Sequence, residues 1–85
     1  MWYVYIVECS DGTLYTGITT DVNKRIETHN KGKGAKYTKT RLPVVLRVSF
    51  DGFDKSTAAK EEYRIKQLTR KEKLELINGN WNTST

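Results

Sequence analysis

Tyr3, Tyr5, Tyr15 and Tyr37 stand in the N-terminal half of the sequence with Arg25, His29 and many lysines. Phenols, a guanidinium, an imidazole and ammonium groups are the side chains that bind anionic oxygen and move protons. Taken singly, each has a plainer reading. A strand tyrosine is ordinarily core or surface filler, Arg25 a solvated helix arginine and His29 a surface histidine. Glu62 is more pointed. At helical spacing it lies about 40° from Ala58 and about 60° from Ile65, on or beside an apolar stripe. A carboxylate there needs a cationic partner or a metal. Glu61 flanks the same stripe on its other side, so periodicity barely separates the two. Other chemistries have fewer supports. Cys9 and His29 are the only residues of their kinds, too few soft ligands for structural zinc. A Cys9–His29 nucleophilic pair lacks an evident third group to orient the imidazole. The run Gly32-Lys33-Gly34-Ala35-Lys36-Tyr37-Thr38-Lys39 is a basic loop without the spacing of a P-loop.

These residues need elements to hold them. Trp2 to Glu8 is aromatic and β-branched and reads as a strand, with Thr13 to Ile18 as its return. A three-residue Ser10-Asp11-Gly12 loop with Gly12 left-handed pairs Val7 with Tyr15 and Tyr5 with Gly17. Tyr3, Tyr5 and Tyr15 then share one face. Trp2, Val4, Ile6, Leu14 and Ile18 share the other, which should be core. Thr19-Thr20-Asp21 offers caps for a helix to about Lys31 with Val22 and Ile26 buried. Arg25 and His29, four apart, are neighbours on one of its faces. Leu42 to Phe50 reads as a third strand, closed by Asp51-Gly52. A helix from about Ser56 to Gln67 presents Ala58, Ala59, Ile65 and Leu68 as its apolar stripe. Thr69-Arg70-Lys71-Glu72 is a capping-box pattern opening a last helix, and Gly79 fits its C-terminal end. The expected class is α/β (α+β): a small three-stranded antiparallel sheet flanked by helices, in the order β-β-α-β-α-α.

With 85 residues, one domain is expected, residues 1–79, followed by a polar tail over 80–85. Its core would be modest, and an open cleft would suit a polymer better than a small molecule. Apolar residues make up 36% and charged residues 29%, as in a soluble globular protein. No apolar run is long enough to cross a membrane, no secretion signal is evident, and a lone cysteine points to a reducing, cytoplasmic setting. Lys and Arg outnumber Asp and Glu by 15 to 10, a net charge of +5, which draws polyanions.

Tyr3-Val4-Tyr5, then Tyr15-Thr16-Gly17, Arg25 and His29 on a helix, and a late helical glutamate form an ordered series. It resembles the GIY-YIG endonuclease superfamily. Tyr3-Val4-Tyr5 stands where that family has Gly-Ile-Tyr, and Tyr15-Thr16-Gly17 where it has Tyr-Ile-Gly. Segments 14–21, 32–36 and 62–68 look especially like its small stand-alone bacterial subgroup (YhbQ-like). Tyr3 replaces the first glycine, Thr16 the middle isoleucine, and Ile18 stands where some relatives have a lysine.

The resemblance implies a metal-dependent endonuclease hydrolysing phosphodiester bonds, on DNA ahead of RNA. Glu62 would hold one divalent cation, Mg2+ or Mn2+. Arg25 would clamp the scissile phosphate through its planar fork. Tyr5 or Tyr15 would be the general base, with the other orienting water or phosphate. His29 would bond the phosphate or relay a proton. Gly17, Lys33, Lys36, Tyr37 and Lys39 would contact the nucleic acid, the lysines without base specificity. The rival is a non-catalytic nucleic-acid-binding module of the same fold. Many relatives carry a separate binding domain, so a partner protein supplying substrate specificity is a further expectation. Repair, recombination and element mobility all stay open as roles.

Overall fold

The computed structural model describes residues 1–79; the tail expected over 80–85 lies outside the described residues. Strands β1 (Trp2–Glu8) and β2 (Leu14–Thr19) form the expected hairpin. Val7 faces Tyr15 and Tyr5 faces Gly17. The Cys9 N–H reaches the Thr13 carbonyl at 2.8 Å across the three-residue loop, and Gly12 turns it with φ of 84°. That positive φ is open to glycine at no steric cost.

Strand β3 (Val45–Phe53) pairs with β1 on its other side, so the antiparallel order is β2-β1-β3. The expected strand began at Leu42 and ended at Phe50; the observed one is shifted along the chain. At its start, Pro43 has no N–H to give a ladder. Next to it, the Asn30 side chain takes both backbone groups of Val44, with N···O distances of 2.7 and 3.1 Å. At its end, Asp51-Gly52 is a bulge and not a turn. Trp2 pairs with Phe53 and Val4 with Phe50, and Gly52 absorbs the extra residue with φ of 90°. A second irregularity pairs Ile6 with Val48 but Val7 with Leu46. Arg47 is the surplus residue, and the slip turns Leu46 and Val48 toward opposite faces.

The sheet is covered on both sides. Val4 and Ile6 pack with Ala58, Ile65 and Leu76, joined by Trp2, Leu14, Ile18, Val48, Phe50 and Leu68. This is the expected core. The tyrosine face carries a second one: Tyr5, Val7, Cys9 and Val44, with Tyr15, Ile26, Leu42 and Leu46. Helix α1 (Val22–Asn30) starts at Asp21, whose carboxylate accepts the Lys24 N–H at 3.1 Å. In α1, Val22 and Ile26 are only half-buried and His29 is the fully buried residue. The basic loop holds a short helical turn, α2 (Lys36–Lys39). In α3 (Lys55–Lys66), Ala58 and Ile65 are buried. Ala59, expected in the stripe, is exposed, because it lies about 120° around the helix from Ile65. Helix α4 (Arg70–Ile77) has the expected capping box: Thr69 accepts the Glu72 N–H at 3.1 Å and Glu72 accepts the Thr69 N–H at 2.9 Å.

Candidate catalytic centre

Tyr5 lies in the middle of β1 with 1% of its surface exposed. Its ring fits because Gly17, opposite on β2, has no side chain: a Cβ there would sit 2.5 Å from the Tyr5 hydroxyl. Two groups of α1, one turn apart, converge on that hydroxyl. His29 Nε2 shares a hydrogen bond with it at 2.8 Å, and Arg25 Nε–H donates to it at 3.4 Å. The four-residue spacing of Arg25 and His29 therefore does what a helix dictates, placing both on one oxygen.

His29 is fully buried, contrary to its plain reading as a surface residue. A direct bond from its ring to phosphate is thus corrected: Nε2 is occupied by Tyr5, and Nδ1 faces Thr38 Oγ1 at 2.8 Å. It can act on a substrate only through Tyr5. Burial pushes the imidazole below its ordinary pKa, with the Arg25 charge adding to the effect. Burial pushes the Tyr5 phenol up; Arg25 opposes it through hydrogen bond and charge, while Tyr15 and Glu62 add to it.

Tyr15 stacks outward from this centre. Its ring meets His29 edge-on at 5.6 Å and lies nearly parallel to Tyr37 at 5.9 Å. The Arg41 guanidinium lies over the Tyr37 ring at 4.0 Å from its centre. Tyr37 is 40% exposed. Lys33, Lys36 and Lys39 are exposed on the same segment. Tyr3 lies on the tyrosine face as expected, but away from this centre, where it lines an open cleft with Asp21, Val22 and Ser49.

Glu62 approaches from α3. Its carboxylate pairs with Lys66 at 3.3 Å, and Lys66 Nζ lies 5.7 Å from the centre of the Tyr15 ring. Glu61 pairs with Arg64 instead. The charge felt at Tyr5 is that of Glu62, which separates two carboxylates that periodicity could not. Among the described residues, no three His, Cys, Asp or Glu side chains group to hold a metal. A closed cage is therefore not built here. A single rim carboxylate, its side chain 24% exposed, fits a hard cation that keeps most of its water, as Mg2+ does.

The GIY-YIG catalytic domain profile matches residues 1–75. The chain belongs to the GIY-YIG family. It is 58% identical over 77 residues to a UPF0213 protein of Halobacterium salinarum, covering 91% of this chain and 100% of that one. A UPF0213 protein of Staphylococcus haemolyticus is 59% identical over 75 residues, covering 88% and 92%. Among solved structures, a UPF0213 protein from Bacillus halodurans superposes with a TM-score of 0.58 at 48% identity, covering 92% of this chain and 84% of that one. A protein from E. faecalis gives 0.60 at 38% identity, with 91% and 82% covered. The family is a nuclease superfamily, and membership places nucleic acid among this chain's partners. Among the described residues, no helix is long and apolar enough to cross a membrane.

Within the GIY-YIG frame, the two altered tripeptide positions have plain physical outcomes. Tyr3 is off the centre. Thr16 points to the apolar face, and its buried hydroxyl has no hydrogen-bond partner. Thr38, Gly34 and Arg41 were not legible as site residues from periodicity. Gly34 passes so close to the imidazole that a Cβ would lie 2.3 Å from Nδ1. The glycines on either side of Lys33 were the available signal, since a basic loop alone does not require them.

Proposed function

We propose that the chain is a divalent-metal-dependent endonuclease that hydrolyses phosphodiester bonds in DNA, with RNA as a second substrate class. The observation that carries this reading is the convergence of Arg25 and His29 on the Tyr5 hydroxyl. Arg25 turns Nε toward Tyr5, leaving its terminal nitrogens to clamp a phosphate. Tyr5 is the general base. Gly17 leaves room for its hydroxyl, since a Cβ there would lie 2.5 Å away. Tyr15 orients the attacking water or the phosphate. Glu62 holds one cation, Mg2+ or Mn2+, which supplies charge stabilisation at the phosphate when bound.

In the reaction, Tyr5 first loses its phenol proton to solvent; water then gives a proton to the phenolate oxygen as its own oxygen bonds to phosphorus, and the bond to the leaving sugar oxygen breaks, that oxygen taking a proton from solvent. Arg25 meets the charge that builds on the phosphate oxygens. Lys33, Lys36 and Lys39 grip the flanking backbone, and Tyr37 borders it. These contacts are salt-sensitive and carry no base specificity, so a partner protein supplies substrate choice. The free, buried Cys9 suits a cytoplasmic setting.

The test is cleavage of labelled single-stranded, duplex and branched DNA and of RNA with Mg2+ or Mn2+. Wild type should cut, and Glu62→Ala and Arg25→Ala, purified identically, should not. Glu62→Ala should still bind, since it removes a negative charge beside phosphate. Equal cutting by all three would mark a contaminant, and binding without cutting by wild type would favour the non-catalytic module.

A further inference from the structure

The His29 ring is closed in on its far side by the segment between α1 and β3. Thr38 has no exposed surface, and its hydroxyl lies 2.8 Å from Nδ1. The Ala35 N–H is aimed at the same nitrogen from 3.4 Å. An N–H can only donate, so the nitrogen it faces is the ring's acceptor. The Thr38 hydroxyl has one proton and two neighbours that could take it. One is the Ala35 carbonyl at 2.9 Å, which already receives the N–H groups of Thr38 and Lys39 at 3.1 and 3.2 Å. The other is Nδ1, the nearer of the two at 2.8 Å. Both donors thus leave Nδ1 with its lone pair, and the single proton of the neutral ring falls on Nε2, facing Tyr5.

We propose that Thr38 is a positioning residue that holds His29 in its Nε2–H tautomer, so that the imidazole donates to the Tyr5 oxygen and does not accept the Tyr5 proton. The inference rests on the nuclease reading for its consequence but not for its geometry. The Tyr5 oxygen then receives two N–H donors, from His29 at 2.8 Å and Arg25 at 3.4 Å. Donors on a phenol oxygen favour its ionised form, against the burial that pushes this phenol up. During hydrolysis Tyr5, its own proton already lost to solvent, takes the proton of the attacking water as the phenolate, and His29 keeps its own proton throughout. Gly34 is part of the same device, because only a residue without a Cβ leaves the ring in reach of Thr38 and the Ala35 amide.

The experiment is nitrogen NMR of the 15N-labelled full chain, reading which ring nitrogen of His29 carries the proton. It is run on wild type, Thr38→Val and Thr38→Ser, with thermal unfolding of each as a check on folding. Wild type should show a protonated Nε2 and an unprotonated Nδ1. Thr38→Val should give a mixed pattern and Thr38→Ser should restore the single one. In the cleavage assay Thr38→Val should lose kcat by roughly tenfold or more, the scale that outer partners of metal-ligating histidines set, with KM unchanged and activity recovered in Thr38→Ser. A proton on Nδ1 in wild type overturns the inference. So does a Thr38→Val protein with the ring pattern and kcat of wild type. If wild type cuts nothing, the nuclease reading fails, while the ring patterns of the three proteins still decide the role of Thr38.

Discussion

The two faces of the sheet differ in how their deepest residues are held. On one, Val4, Ile6, Ala58, Ile65 and Leu76 pack as an apolar layer. On the other, Tyr5, His29 and Thr38 are as deeply buried but are tied by hydrogen bonds. Among the described residues, the buried side-chain polar atom left without a partner, Thr16 Oγ1, belongs to the apolar side. The apolar face is held by area and shape, with tolerance for one misplaced hydroxyl. The tyrosine face joins its own apolar cluster of Val7, Cys9 and Val44 to directional bonds and two missing side chains, Gly17 and Gly34, and there the candidate catalytic groups meet. A volume error should therefore cost stability on the first face and activity on the second.

Ile65→Ala should give the largest stability loss, about 2–5 kcal/mol, by opening a cavity under α3. Below its unfolding temperature the variant should cut with wild-type kcat; denaturant melts and single-temperature kinetics read the two effects separately. Gly17→Ala pushes a carbon to 2.5 Å from the Tyr5 hydroxyl, at an expected stability loss of about 1–3 kcal/mol. Here cleavage should fall far more than the melt does, and an active Gly17→Ala protein would blur the difference between the faces.

A smaller effect comes from protons. His29 is held neutral, its pKa below the ordinary 6.5. Its contribution is complete above that value and is lost as pH falls from there through the lower folded value, because the unfolded chain binds the proton first. The slope is at most about 1.4 kcal/mol per pH unit. Urea midpoints taken from pH 7.5 down should show this extra loss in wild type and not in His29→Gln. The smallest change, and the one of opposite sign, is Thr16→Val. Replacing the unpartnered hydroxyl with a methyl of similar size should stabilise by about 1 kcal/mol and leave cleavage unchanged.

The same contrast explains what could be read from the residues alone. Alternation in β1 and the glycine of the hairpin loop were enough for the register, because a one-residue slip would have turned Val4 and Ile6 to the wrong side. The Thr69–Glu72 cap was legible because its signal is local. The ends of β3 were not. Asp51-Gly52 suits a turn and a bulge equally, and the Asn30 side chain that holds Val44 comes from a distant helix. The burial of His29 was not legible because nothing in α1 itself buries it. Its partners are Tyr5, 24 positions away, and Thr38, 9 positions away. Order along the chain pointed to the family; the tie between Tyr5, His29 and Thr38 needed the fold.

The most direct measurement compares wild type with Tyr5→Phe and Tyr15→Phe, each shown by its melt to be folded, in metal-dependent cleavage of labelled DNA. Tyr5→Phe removes one hydroxyl and leaves the ring in its pocket. Loss of cleavage by at least about 100-fold in Tyr5→Phe, with a smaller loss in Tyr15→Phe, is the expected result. Full activity in Tyr5→Phe would contradict the assignment of this buried polar face as the catalytic centre.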